Sequence, residues 1–163
     1  MTMTVAKAVV PGLTLEKHRQ FRENFVAKMN ALDDKLTIVE CGEVDGCKAA
    51  LQMIKMPMMM TNRTIPNIRY LDESDSELVM VTSSRGTEQL VADQAAVIKK
   101  NVVGNNVVNY VRLVPTEDGC TFEGVNCGDL AGSIPDMIKK KMAERQQAAQ
   151  MRMLKVVRDG SLN

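Results

Sequence analysis

The chain has 163 residues, 45% of them apolar and 25% charged, with a formal net charge of +1. That is one domain's worth of globular sequence; it excludes a disordered segment, a fibre, and a basic or aromatic-platform nucleic-acid binder. The apolar share is unusual in kind, with 13 Met against three Phe, two Tyr and no Trp, so flexible thioethers must fill much of the interior.

Thr4 to Val10 is short, β-branched and stopped by Pro11-Gly12, which predicts a first strand. Thr14 then opens a helix. Leu15, His18, Phe21, Phe25, Met29 and Leu32 recur at spacings of three and four, a stripe of helical period that closes at Asp33-Asp34. His18 lies on that stripe and reads as a satisfied core or boundary histidine.

A run of strands follows. Leu36 to Cys41 and Cys47 to Met56 flank a hairpin turn ending in Asp45-Gly46. Pro57 to Asn62 interrupts the pattern, since proline cannot continue a central ladder. Thr64 to Leu71 and Leu78 to Ser84 predict a second hairpin; Gln89 to Lys100 fits a short helix or a loop. Val107 to Pro115 and Cys120 to Gly128 predict a third hairpin around Glu117-Asp118-Gly119. In the last segment Ser133 reads as an N-cap and Pro135 as a first-turn residue. Ile134, Met137, Ile138, Met142, Ala148, Ala149 and Met153 form one face, and the helix runs to about Val157 with Gly160 beyond it. Segregated helices with antiparallel hairpins define an α+β fold in one domain, 1–163.

Four cysteines at 41, 47, 120 and 127 match neither a redox CxxC turn nor paired zinc knuckles, and His18 is the sole histidine. No metal and no cofactor is expected. The cysteines read as reduced small hydrophobes, although a Cys41–Cys47 bridge across the hairpin stays open. No run approaches the roughly 18 apolar residues that span a bilayer, and the N-terminal segment lacks a secretory pattern. The expectation is a soluble, cytoplasmic protein.

The segment Asp129-Leu130-Ala131-Gly132-Ser133-Ile134-Pro135 resembles the START family, lipid-transfer domains related to steroidogenic acute regulatory protein. There a last strand ends at an Asp, a Gly follows, and an Ile/Leu-Pro pair opens the terminal helix. Pro57 through Arg63, leading into Ile65 to Tyr70, resembles a second family stretch. Ser133 stands where the family usually has an aromatic, and Thr64 where it usually has Asp. The resemblance implies a helix-grip fold: a curved antiparallel β-sheet wrapped around a long C-terminal α-helix, enclosing a cavity for one lipid-like molecule.

On this reading the ligand is lined by Met53, Met58, Met59, Met60, Arg63, Val111, Phe122, Met137, Ile138 and Met142. Five methionines between 53 and 60 supply adaptable wall or gate. Arg63 is either a polar anchor needing a carboxylate or head group, with Asp129 and Glu123 to inspect, or a solvated loop residue. Asp129 reads as a turn residue bonding backbone amides. The run Lys139-Lys140-Lys141, with Arg145, Arg152, Lys155 and Arg158, is a solvated face or a transient contact with an anionic membrane surface. The partners expected are a lipid or other hydrophobic small molecule, and no nucleic acid. The function expected is ligand binding for lipid transfer or sensing, without catalysis. Two alternatives stand beside it. One is a cyclase- or hydrolase-like enzyme of the same superfamily, which would need Tyr70, Tyr110, Glu123 or Asp129 to converge in the cavity. The other is an interaction module whose methionines fill their own interior.

Overall fold

The computed structural model describes residues 1–57 and 59–161. Strand β1 (Thr2–Pro11) leads into α1 (Leu15–Arg22) and α2 (Phe25–Leu32). Then come β2 (Leu36–Val44), β3 (Cys47–Ile54), β4 (Arg63–Glu73) and β5 (Leu78–Ser83). Two short helices, α3 (Glu88–Asp93) and α4 (Ala95–Ile98), and the two-residue β6 (Val102–Val103) precede β7 (Asn105–Thr116), β8 (Gly119–Asp129) and α5 (Asp136–Asp159). One sheet runs in the order β1-β8-β7-β5-β4-β3-β2, antiparallel throughout except that β6 adds to β4 in parallel. The α+β expectation holds.

Local chemistry accounts for the joints. Asp45 (φ 50°) and Gly46 (φ 74°) take the paired left-handed conformations of a two-residue hairpin turn. The Thr14 hydroxyl accepts from the Lys17 amide at 3.1 Å and caps α1 as expected. The expected continuous first helix, however, is broken. Asn24 sits at φ 58°, a conformation Asn tolerates better than most residues, and the turn it makes swings α2 over β2.

The start of α5 also departs from expectation. Ser133 is exposed and caps nothing; the helix begins at Asp136 with Pro135 at its cap position. A Ser133 cap would require helical backbone at Ile134, which the ring of the following proline disfavours. At the other end Gly160 (φ 66°) closes α5, its amide donating to the Val156 carbonyl at 2.9 Å.

The main core joins β1, α1, the centre of the sheet and the end of α5 through Leu13, Phe21, Leu78, Leu113, Phe122, Leu154 and Val157. A second cluster, Ala49, Leu51, Leu90 and Ile98, seals α3 and α4 against the other face of β3. A third gathers Met56, Ile134 and Ile138 at the start of α5. The terminal helix is thus gripped at both ends. Its expected inward face is narrower than predicted: Met137 is 60% exposed, one residue round the helix from buried Ile138, and Ala148 also faces solvent.

Candidate functional site

The strand registers place polar side chains in a row across the helix-covered face. Glu43 pairs with Lys48, Lys48 with Arg69, Arg69 with Thr82, Thr82 with Asn109, Asn109 with Asn126 and Asn126 with Thr4. A row toward the main core carries Met80, Val111, Gly124 and Ala6 instead. A polar strip therefore crosses an otherwise apolar face, where alternation alone would bury hydrophobes.

Above this strip, between α2 and strands β2 to β5, lies a cavity of about 330 Å³. Phe25, Val26 and Met29 roof it; Leu36, Ile38, Ala50 and Met80 form apolar wall; Gln52, Asn67, Arg69, Thr82 and Asn109 supply the inner polar part, and exposed Glu40, Glu43 and Lys48 stand at its rim. Asn67 is held from both sides. Its Nδ2 donates to the Ile65 carbonyl at 3.2 Å, and its Oδ1 accepts from Asn106 at 2.8 Å.

Two groups are left open. Asn109 Oδ1 is buried with no hydrogen-bond partner among the described residues. The Arg69 guanidinium stacks over the Phe25 ring, 4.6 Å from its centroid, and makes no hydrogen bond or ion pair to another described residue. Burial draws its pKa below the usual arginine range, with exposed Glu40 opposing and Arg22 adding to the shift. A half-buried cation thus faces a mostly apolar space, with a buried, unpartnered lone-pair acceptor in the wall beside it. That arrangement suits a molecule with an apolar body and one polar end.

The residues expected from sequence lie elsewhere. Met60, Ile138 and Met142 do meet, in the cluster around Met56 and Ile134. Val111 and Phe122 are fully packed in the main core. Met53 shares the strand face of Ala49 and Leu51, which is covered by α3 and α4. Met59 and Met137 are exposed, and Met58 lies outside the described residues. None of those described borders the cavity under α2.

Arg63 is buried, so it is no solvated loop residue, yet neither carboxylate considered for it is its partner. Nε donates to the Leu130 carbonyl at 3.0 Å, Nη2 to the Ala131 carbonyl at 3.2 Å, and Nη1 to the Thr61 carbonyl. Asp129 instead accepts from the Ala131 amide at 2.9 Å, the expected turn role, and Glu123 pairs with Lys7 at 2.7 Å on the opposite face of the sheet. Tyr70 and Tyr110 share that outer face with Glu123 by register, so the four groups an enzymatic reading asked for do not converge. His18 is buried, but its Nδ1 has no partner among the described residues, which corrects the expectation of a satisfied histidine. All four cysteines are free. Among the described residues no cluster of three or more His, Cys, Asp or Glu could hold a metal, and no helix is long and apolar enough to cross a membrane.

The residues that do line the cavity leave one sequence signal. Asn67 and Arg69 share the strand face of buried Ile65, and Asn109 shares that of buried Val111 and Leu113. Polar residues on the buried parity of a strand mark a place where the interior is not simply packed.

No family model and no curated protein matches the sequence. Solved structures do match the fold. Human STARD10 superposes with a TM-score of 0.73 at 10% identity over 96% of this chain, which spans 62% of the STARD10 chain. Human StAR-related lipid transfer protein 5 gives 0.76 at 12% identity, covering 99% of this chain and 77% of that one. A more distant match is the di-domain ARO/CYC StfQ from the steffimycin biosynthetic pathway, at 0.54 and 10% identity over 96% of this chain and 48% of that one. The chain has the START-type helix-grip fold. At these identities the likeness is one of fold.

Proposed function

We propose that residues 1–163 form one domain that binds a single lipid or other hydrophobic small molecule in the cavity under α2, for transfer or sensing in the cytoplasm. The observation that carries this is the pairing of apolar walls with an unpaired Arg69 cation and a buried, unpartnered Asn109 oxygen. The apolar body leaves water for about 25 cal/mol per Å² buried, while the polar end accepts from Arg69 and donates to Asn109. The volume is about twice that of the roughly 150 Å³ engineered pocket that holds benzene. It suits one compact apolar body; two acyl chains require α2 to move. The likeness in fold to human StAR-related lipid transfer protein 5 supports the same reading, and four unpaired cysteines fit a reducing compartment.

Loading and unloading take place at a membrane surface. Exposed Met59 and Met137 flank the cluster around Met56, and Lys140 and Lys141 stand exposed beside them on α5. Native mass spectrometry of the purified protein, followed by titration with fluorescent lipids differing in head group and chain number, tests the reading. Expected is one hydrophobic molecule per chain and saturable uptake. Protein that carries nothing and takes up none of the panel would end it.

A further inference from the structure

The sheet has two edges, and they are built differently. At β2 the edge is blunted three times over. The ladder with β3 carries a bulge between Glu40 and Glu43, with Gly42 at φ 85° inside it. Exposed charges Glu40 and Glu43 stand on the strand. The side chain of Asn30, from α2, occupies the free backbone of Ile38, its Oδ1 accepting from the Ile38 amide at 2.7 Å and its Nδ2 donating to the Ile38 carbonyl at 3.2 Å. These are the devices by which natural sheets refuse a further strand.

At β1 the bulge and the side-chain plug are missing, and a single charge remains. The strand pairs with β8 over ten consecutive residues without a register shift. It holds no glycine, its proline is its last residue, and its one charge, Lys7, is neutralised by Glu123 of the same sheet at 2.7 Å. Among the described residues no side chain or loop bonds the free backbone of Thr2 to Val9. On the outer face Met3, Val5 and Val9 are 67%, 61% and 66% exposed. Behind them an apolar row continues through the sheet from Val5 to Val125, Tyr110, Val81 and Tyr70. A long, regular, apolar edge of this kind is a template for another strand.

We propose that the β1 edge pairs with the β1 edge of a second copy of this chain, antiparallel about a two-fold axis at Ala6, joining two sheets into one. The strand is self-complementary in that register. Met3 falls opposite Val9 of the second copy, Val5 opposite Lys7, Thr4 opposite Ala8, and Ala6 opposite Ala6. The exposed methionine and valine cover each other, the lysine stem lies along a valine, and no two like charges stand directly opposite, each Lys7 being tied to Glu123 of its own sheet. On the helix-covered face the three positions that approach nearest the axis, Thr4, Ala6 and Ala8, are small, so the two layers of helices need not separate. Residues opposite each other share parity, so both strands present the same free amides and carbonyls and the ladder closes whichever parity faces out. A two-fold interface must match itself, and this strand does so in the register about Ala6.

Sedimentation equilibrium from about 1 μM to 1 mM reads the mass directly, and the expected species is twice the 18.0 kDa chain. Val5→Lys, an exposed position, sets lysine opposite Lys7 of the second copy and raises the dissociation constant at least tenfold with the far-UV spectrum unchanged. In a Cys127→Ser background, which removes the thiol paired with position 3 in the chain's own sheet, Met3→Cys/Val9→Cys gives an oxidised dimer. Either single cysteine alone does not, because it faces no thiol across the axis. A monomer at every concentration, a dimer indifferent to Val5→Lys, or single cysteines that cross-link as readily as the pair would each overturn the proposal.

Discussion

Arg69 lies over Phe25, its guanidinium carbon 4.6 Å from the ring centroid, and so joins the floor of the cavity to its roof. The contact is worth about 0.5–1 kcal/mol at a partly exposed site. It balances only part of the cost of holding the charge away from water, which is why burial heads the causes that pull this arginine's pKa down.

Replacing that charge therefore separates binding from folding. Arg69→Met keeps the stem, loses the cation–π contact and relieves the desolvation, so the unfolding free energy changes by less than about 1 kcal/mol. Affinity for a ligand whose polar end accepts from Arg69 falls about 10- to 100-fold, the weight of a charge-assisted hydrogen bond. Urea denaturation and a fluorescent-lipid titration on the same preparation check both halves. Unaltered affinity would remove Arg69 from the binding role.

Arg63 is predicted to behave the opposite way. Its nitrogens satisfy three carbonyls, on Thr61, Leu130 and Ala131, that link the approach to β4 with the turn before α5. Arg63→Met strands those acceptors and costs about 3 kcal/mol of stability, from desolvation penalties of roughly 1–3 kcal/mol each, some offset by water. Arg63→Lys recovers little, because one ammonium cannot reproduce the planar fork. The midpoint of chemical denaturation measures this, and ligand affinity of the folded fraction stays within about twofold.

These two arginines show how far the sequence could be read. Strand order and helix position followed from periodicity, turn residues and the Asp129 to Pro135 segment, all local signals. The roles of Arg63 and Arg69 did not, because they lie on one strand face six residues apart and differ only in what crosses above them. The turn at Ala131 covers one and α2 covers the other. The break at Asn24 that brings α2 there depends on a single left-handed residue, which no hydrophobic period records. The methionine run at 53–60 divides for a related reason: strand parity turns Met53 to the face that α3 and α4 cover, and Met59 meets solvent beyond Pro57.

His18 carries a pH dependence with a definite sign. Burial, then the neighbouring Arg22, draws its pKa from 6.5 to about 4, against the opposing pull of Glu73. The folded chain therefore holds the imidazole neutral while the unfolded chain protonates it below 6.5. The stability it contributes is complete above that pH and is lost as pH falls toward 4, by on the order of 3 kcal/mol at most. Most carboxylates titrate near or below pH 4.5, so the interval from 6.5 to 5 isolates the histidine. His18→Leu, which also removes the unpartnered Nδ1, flattens the fall in urea midpoint across that interval. A variant as pH-sensitive there as the parent chain would assign the slope to other groups.

The exposed methionines make the last prediction. Met59 is fully exposed in the loop before β4, Met137 is 60% exposed in the first turn of α5, and their sequence neighbours Met60 and Ile138 belong to the cluster around Met56. Lys140 and Lys141 form no ion pair among the described residues, whereas Lys139 is tied to Asp136 at 3.1 Å. Insertion of the two thioethers, with about 1 kcal/mol from each free lysine near an anionic surface, gives binding that needs both terms. Vesicle cosedimentation should show uptake on phosphatidylserine-containing bilayers that weakens with salt. Loss of about fivefold is expected for Lys140→Gln or Lys141→Gln, and a larger loss for Met59→Asp/Met137→Asp. Binding that ignores both salt and the double aspartate would place membrane contact on some other face of the molecule.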